Sequence, residues 1–393
     1  MNLNLLDKEV QHYISEHLYD DISRLVLKKS SFPDCSSKEI AEQIEAKLKI
    51  RKKLPTWFST EHIYYANKLN LSQTSSEATA SYKAKIVNGN TLIDLSAGFG
   101  VDSFAFSKKI KHVWHLEKNV HLSEIAKHNF NILNAMNINV ITGDGIDFLK
   151  TCNLTFDCIY LDPSRRSKTK EKVFFLSDCE PNITEHLDLL FSKSNQILIK
   201  TGPLLDIKAG ISQLKHIKSI HIVALNNEVK EVLWELEKDY PNKPLIKTVD
   251  IHGDKRDTTN FYGHEEKEAE ANFSEPLNYL YEPNSAILKS GAYKLIGNRF
   301  DVKKIGQHSH LYTSKSVKEF PGRRFKILKV LSYNKTDLKK VRFDKVNVTV
   351  RNFPDSVSTI RKKLRLKDGG TDYLFFTKNL KDKLVVIHCF KIR

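Results

Sequence analysis

The 393-residue chain has no long apolar run. No stretch of about 18 apolar residues occurs, so no transmembrane helix is expected. Cysteine is scarce and scattered: Cys35, Cys152, Cys158, Cys179 and Cys389, odd in number and with no CxxC pair. That argues against both a zinc site and a disulfide framework, so no metal is expected. The first residues, MNLNLLDKEVQHYISEHLYD, lack the basic segment and cleavage site of a secretory signal. No internal repeat or low-complexity segment occurs. A reduced, cytoplasmic protein with no membrane partner is the expectation.

What remains is ordinary for a globular chain, with 40% hydrophobic and 28% charged residues and a mean hydropathy of −0.41. The length allows two or three domains. Charge is unevenly placed. The net charge is +16, yet residues 291–393 alone carry +18, leaving −2 for the first 290. A basic terminal quarter points to a polyanionic partner; a lysine-rich solvated surface is the plainer alternative.

Residues 1–85 read as an N-terminal helical region. Ser36-Ser37-Lys38-Glu39 has the form of a capping box before Ile40, Ile44, Leu48 and Ile50. Trp57 and Phe58, after Pro55, either stack a base or dock a helix on the core. The cluster Gln73–Glu77 caps a helix over 78–87, and Asn88-Gly89-Asn90 ends it. From 86 to 250 strands and helices alternate, which predicts a parallel sheet with helices on both faces. The strands are expected at 91–96, 112–116, 139–142, 156–161, 196–200 and 219–225. Residues 228–237 fit a helix or a strand equally. Residues 250–275 turn polar and read as an edge hairpin or linker at a domain boundary. Beyond them a strand over 279–282, a helix over 284–300 and a strand over 311–313 are expected. Residues 325–393 read as a small α+β domain, with a basic helix over 357–366 carrying Arg361, Lys362 and Lys363.

The chemistry begins at Thr91–Gly100, TLIDLSAGFG: a buried strand, a glycine turn, then a helical pattern. Acids stand just past successive strands, Glu117 after the second, Asp144 after the third and Asp162 after the fourth, with Asp94 at the end of the first. Ligands of open α/β sheets bind beyond those carboxyl ends. Each acid alone is explained by helix capping; four in order, behind a glycine turn, are not. A dinucleotide site wants GxGxxG, and Gly98-Phe99-Gly100-Val101-Asp102-Ser103 lacks the third glycine. The pattern suits a ligand with an amino-acid end, a ribose and an adenine, but no phosphate. Glu117 would accept the ribose hydroxyls, Asp144 the adenine amine, and Asp94 the amino group.

Asp94–Gly100, Glu117, Gly143-Asp144 and Asp162-Pro163 together resemble the motif series of class I S-adenosylmethionine-dependent methyltransferases. Leu71–Ala80, LSQTSSEATA, with Leu161–Arg166, LDPSRR, is similar to a bacterial subgroup carrying a C-terminal THUMP-like domain. The resemblance implies an α/β, Rossmann-like methyltransferase sheet over 86–250. It also implies a small ferredoxin-like α+β domain over 276–322 and a basic THUMP-like domain over 323–393. It places Asp94, Ala97, Gly98, Phe99, Gly100, Glu117, Asp144 and Gly145 on S-adenosyl-L-methionine. It gives the chemistry to Asp162 and Pro163, and it implies RNA, tRNA or rRNA, as the partner.

In base-amine methylation an aromatic residue usually follows the Asp/Asn-Pro-Pro stretch and stacks the base. Here Ser164, Arg165 and Arg166 follow instead. A guanidinium can stack a base or hold a phosphate, so these three, with Arg361, Lys362 and Lys363, are read as substrate-binding. Pairing with nearby acids is the plainer alternative for the two arginines. Carbon methylation of a pyrimidine needs a cysteine nucleophile, and Lys200-Thr201-Gly202-Pro203 after the fifth strand has none. A nitrogen or oxygen acceptor is expected. A protein or small-molecule methyltransferase, and a non-catalytic RNA-binding protein of this fold, stay open.

Overall fold

A computed structural model of the protein describes residues 1–165, 175–338, 343 and 345–392. The chain divides into two compact units. One is Met1–Ser219 with Glu231–Asn242; the other is Ile220–Lys230 with Lys243–Arg393.

The first unit opens with α1 (Lys8–Glu16), α2 (Ile22–Leu27), α3 (Ser37–Ile50), α4 (Pro55–Ser59), α5 (Lys68–Gln73) and α6 (Glu77–Ile86). The capping box at α3 forms as its sequence predicts. The Glu39 N–H donates to Ser36 Oγ at 3.2 Å, and the Ser36 N–H donates to Glu39 Oε2 at 2.9 Å. Two orphan donors of the first turn are thereby satisfied. Glu77, at the start of α6, accepts from Thr56 N–H at 2.7 Å and Thr56 Oγ1 at 2.8 Å, which ties α6 to α4. Trp57 is fully buried against Phe99 and Phe104, with ring centroids 4.8 and 5.7 Å away. It is therefore a core residue and not a base-stacking one.

The sheet of this unit contains β1 (Thr91–Asp94), β2 (His112–Glu117), β3 (Ile138–Thr142), β4 (Cys158–Leu161) and β5 (Gln196–Thr201). All pair in parallel, in the order β3-β2-β1-β4-β5, with Ile93 facing both Trp114 and Ile159. β1 and β4 are short, with apolar cores, Leu92-Ile93 and Cys158–Leu161, buried before the acids that follow, as strands covered on both faces are. The connections hold α7 (Val101–Ser107), α8 (Val120–Ile132), α9 (Gly145–Thr151), α10 (Ile183–Lys193) and α11 (Ile207–Gln213). The N-terminal helices, α7 and α8 share one core, in which Ile44, Trp57, Phe99, Ile125 and Phe130 are buried together.

After β6 (Ile217–Leu225), residues 228–237 settle as a strand, β7 (Glu228–Glu237), antiparallel to β5. Four consecutive residues, Glu231–Trp234, are buried, which removes the alternation that would have marked a strand. Trp234 lies over Gly210 of α11, where a Cβ would meet its ring at 2.2 Å, and its Nε1–H donates to Thr201 Oγ1 at 3.0 Å.

In the second unit, the polar stretch around 250–262 is no linker. β8 (Leu245–His252) and β9 (Lys255–Tyr262) form a continuous antiparallel hairpin, followed by α12 (Gly263–Glu268). The helix expected over 284–300 is two helices, α13 (Ser285–Ser290) and α14 (Tyr293–Arg299). Gly291, at φ +79, takes the left-handed conformation that ends the first. Strands β10 (Tyr279–Pro283), β11 (Lys303–Lys304), β12 (Tyr312–Ser314), β13 (Gly322–Ser332), β14 (Asn347–Val350), β15 (Asp372–Lys378) and β16 (Leu384–Ile392) form one sheet, ordered β11-β12-β10-β13-β16-β15-β14. Residues on both sides of 322 thus share a sheet. Its faces follow the two-residue period: Phe375 and Ile387 pack to one side with Leu280 and Phe325. Leu374, Phe376 and Val386 pack to the other, with Ile360 of α15 (Val357–Leu364). No helix of the described residues is long and apolar enough to cross a membrane.

Candidate active site

The site is built in the first unit, where β1 to β5 end. Asp94 closes β1 and is fully buried. Its carboxylate accepts from Ser96 N–H at 3.2 Å and from Ser103 Oγ at 2.8 Å. Burial pushes its carboxyl up to about 8. Ser103 Oγ also lies 3.0 Å from Nδ1 of buried His115, whose imidazole burial pushes down to about 3. Asp94 therefore braces the turn from beneath, where the sequence reading had it reaching for an amino group.

The two glycines of the turn have different reasons. Gly98, at φ +58, would place a Cβ in open space, with nothing within 4 Å. Gly100, at φ +95, would drive a Cβ to 2.4 Å from the Phe130 ring. A side chain at Gly98 would enter open space, while the lack of one at Gly100 lets α8 pack against the turn. Ala97 and Phe99 are buried, and the Ala97 N–H donates to Leu116 O at 3.0 Å. Glu117, at the end of β2, accepts from Gly98 N–H at 3.0 Å and from Asn119 N–H at 2.7 Å. Asp144 is exposed and caps α9, accepting from Ile146 N–H at 2.9 Å and Asp147 N–H at 3.2 Å. Gly145 passes so close to Leu95 that a Cβ would meet its carbonyl oxygen at 2.5 Å.

Asp162 follows β4 and is half-buried. Its N–H donates to Ser96 Oγ at 2.6 Å, which joins the turn after β4 to the turn after β1. Its Oδ2 is paired with the ammonium of Lys200 on β5. Pro163 is half-buried and Ser164 exposed; the backbones of Ser164 and Arg165 pair with Glu180 and Cys179. Arg166 lies outside the described residues. Cys179 and Cys158 are both buried, and burial pushes the Cys158 thiol up to about 12.

Behind Asp162 lies a charged group that sequence reasoning did not single out. Lys83 of α6, with no exposed side-chain surface, reaches Glu231 of β7 at 2.8 Å, Asp102 of α7 at 3.1 Å and Ser75 Oγ at 2.8 Å. Ser75 Oγ donates to Asp102 Oδ2 at 2.8 Å, and Tyr160 Oη donates to the same oxygen at 2.9 Å. Burial disfavours the charged form of Asp102. Lys83, Lys200 and these two hydroxyls outweigh it and hold the carboxyl below its usual range. For Glu231 burial prevails, and its carboxyl is raised despite Lys83 and Lys200. Burial also opposes the Lys200 charge, but Asp162, Glu231 and Asp102 overcome it and raise the ammonium above its usual range. The signal in the sequence was the place of Lys200 at the carboxyl end of its strand, in line with Glu117, Asp144 and Asp162. Among the described residues no group of His, Cys, Asp and Glu could hold a metal ion.

In the second unit the basic helix is partly neutralised. Arg361 pairs with Asp368, and Lys363 with Asp355 at 2.8 Å, while Lys362 is exposed.

A family model for a ferredoxin-like domain matches residues 279–321, and one for a THUMP domain-like region matches residues 322–391. The chain is similar to the "Uncharacterized RNA methyltransferase MMOB5020" of Mycoplasma mobile, with 28% identity over 195 residues, 46% of this chain and 53% of that protein. It is also similar to the ribosomal RNA small subunit methyltransferase J of Francisella philomiragia, with 25% identity over 171 residues, 38% of this chain and 71% of that one. The chain thus spans about half the length of the first of these relatives. A crystal structure titled as a "putative methyltransferase" from Porphyromonas gingivalis W83 matches with a TM-score of 0.90 and 29% identity, over 99% of this chain and 98% of that one. Along its whole length the chain is similar to this methyltransferase-titled structure, and its C-terminal part carries a ferredoxin-like and a THUMP domain-like region.

Proposed function

We propose that the protein is an S-adenosyl-L-methionine-dependent RNA methyltransferase acting on a nitrogen or oxygen of tRNA or rRNA. One observation carries this reading: a Cβ at Gly98 would stand in open space, and the Gly98 N–H donates to Glu117 at the end of β2, with Asp144 and Asp162 following β3 and β4 in the same sheet. The chain leaves room there that a Cβ would narrow, and the acids at the strand ends supply carboxylates for hydroxyl and amine donors. These residues fit S-adenosylmethionine. Glu117 would hold the ribose hydroxyls, Asp144 and Gly145 the adenine side, and Ala97, Gly98, Phe99 and Gly100 the methionine side. Asp94 acts on the group only by bracing this turn.

Bound there, the cofactor would supply an electrophilic methyl carbon on a positively charged sulfur. Asp162 orients the acceptor N–H or O–H and takes the proton that the acceptor sheds on being methylated. Pro163 and Ser164 shape the entrance. Arg165 and Arg166 are assigned to the nucleic acid near the acceptor, and Arg361, Lys362 and Lys363 to its phosphates. The +18 charge of residues 291–393 supports RNA as the polyanion.

The test has two parts. Calorimetry should show binding of S-adenosylmethionine that Glu117→Ala weakens about tenfold or more, as expected for loss of a charge-assisted hydrogen bond. Mass spectrometry of tRNA and rRNA nucleosides from a strain lacking the gene should show one methylated nucleoside missing, and the purified protein should restore it. Cofactor binding with no methylated nucleoside lost from either pool would leave a protein or small-molecule acceptor, or a binding module.

A further inference from the structure

We propose that Lys200 is a positioning residue for methyl transfer, holding one oxygen of Asp162 so that the other faces the acceptor. The inference rests on the reading of Asp162 as the residue that meets the acceptor.

A terminal aspartate carboxylate has two equivalent oxygens and rotates freely unless something holds it. One contact holds this carboxylate and another holds its backbone. The Asp162 N–H is fixed on Ser96 Oγ at 2.6 Å, and Oδ2 is engaged by the Lys200 ammonium. No described residue donates to Oδ1. The pair lies at the boundary between interior and cleft: the Lys200 side chain keeps 11% of its surface exposed and that of Asp162 keeps 32%. The ammonium thus stands behind the carboxylate, and the carboxylate faces outward.

Lys200 is itself placed by the charges behind it. Asp102 and Glu231 act on its ammonium, and both are held in turn by Lys83. Asp102 is fixed further by Ser75 and Tyr160. The frame draws on α6, α7, β4, β5 and β7, so Lys200 has little freedom to leave its place. It also gives a role to the serine-rich stretch before α6, because Ser75 links Lys83 to Asp102. The ammonium stays protonated here, so Lys200 is not the base. When the acceptor lone pair forms its bond to the methyl carbon, the carbon–sulfur pair returns to sulfur and the acceptor proton goes to Asp162 Oδ1. An acceptor presenting a single N–H or O–H to that oxygen is the class this arrangement takes.

The experiment compares the full-length wild type with Lys200→Met, Lys200→Gln and Lys200→Arg. Methyl transfer to RNA from the deletion strain and cofactor binding by calorimetry are measured for each. Wild type that transfers no methyl group to RNA overturns the proposed function. With an active wild type, Lys200→Met should lose about 100-fold in kcat, while KM and Kd for S-adenosylmethionine stay within about threefold. Lys200→Arg should recover most of that loss. A Lys200→Met kcat within about threefold of wild type overturns the proposal, as does a loss that appears only as a higher KM. Lys200→Gln keeps the question answerable if the methionine variant does not fold. A readout independent of activity is the crystal structure of the folded variant. The Asp162 carboxylate should move by about 1 Å or more while the backbones of β4 and β5 stay in place. A carboxylate unmoved without the ammonium overturns the proposal even if no substrate has been found.

Discussion

Two charged regions of this molecule are handled in opposite ways. Residues 1–290 carry almost no net charge, yet they hold Lys83, Asp102 and Glu231 in the interior. Residues 291–393 carry +18 and keep it mostly at the surface, where the Lys363–Asp355 pair leaves 55% and 21% of its side chains exposed. For Lys83–Glu231 the figures are 0% and 2%. Charges removed from water must be held by counter-charges and hydrogen bonds, so the buried group is a fixed frame. Charges left in water are weakly coupled and screened by salt, so the surface set can exchange its partners for phosphates. Net charge therefore reports the basic surface and says nothing about where the buried charges are.

The comparison can be broken most forcefully at Asp162. Asp162→Ala should reduce methyl transfer by about 100-fold or more, the usual worth of a positioned proton acceptor, with cofactor affinity near that of wild type. Single-turnover transfer and calorimetry check both halves. Next comes Lys83→Met, which removes the ammonium in direct contact with Asp102 and Glu231 and leaves them only Lys200. It should cost about 3–5 kcal/mol in urea unfolding. Lys363→Met should barely move the same midpoint, and equal shifts would erase the distinction between frame and surface.

The turn offers a smaller contrast. Gly100→Ala meets Phe130 and takes a left-handed φ, so it should cost about 2–4 kcal/mol, while Gly98→Ala should cost only about 1–2 kcal/mol, from its φ alone. Cofactor binding should reverse the order, with Gly98→Ala weakening it more among the folded proteins. Thermal unfolding and calorimetry together decide.

The last contrast concerns pH. Burial raises the Asp94 carboxyl from 3.8 to about 8, so the folded state keeps a proton that the unfolded chain releases. The folded state binds more protons across that window, so stability falls as pH rises. The contribution is whole below about 4 and is lost as pH climbs through about 8. Asp94→Asn should flatten that fall in urea unfolding between about pH 5 and pH 8. A slope identical to wild type would show that Asp94 is ionised in the fold.

Much of the sheet was legible because short apolar strands ending in acids are a local pattern. β1 to β5 lie where alternation with helices put them, and the Ser36 capping box forms from four adjacent residues. β7 was not legible, because burial on both faces hides the two-residue period and leaves Glu231 in an apolar run. The break at Gly291 was missed because its flanking residues suit one continuous helix. The glycine turn could be read, but the separate reasons for Gly98 and Gly100 could not, since Phe130 is 30 residues further along the chain.

By itself, then, the sequence determined the order of strands and helices, the row of acids at the strand ends and the basic terminal quarter. Each depends on neighbours in the chain or on a simple sum of charges. Tertiary structure alone decided that Asp94 turns inward, that Arg361 and Lys363 are ion-paired, and that Lys83, Asp102, Lys200 and Glu231 meet behind Asp162. Those last four come from four elements spread over about 150 residues, and their partners are chosen by proximity across the fold. A charge in an interior is tolerable only beside its counter-charge, and no local pattern records which distant residue supplies it.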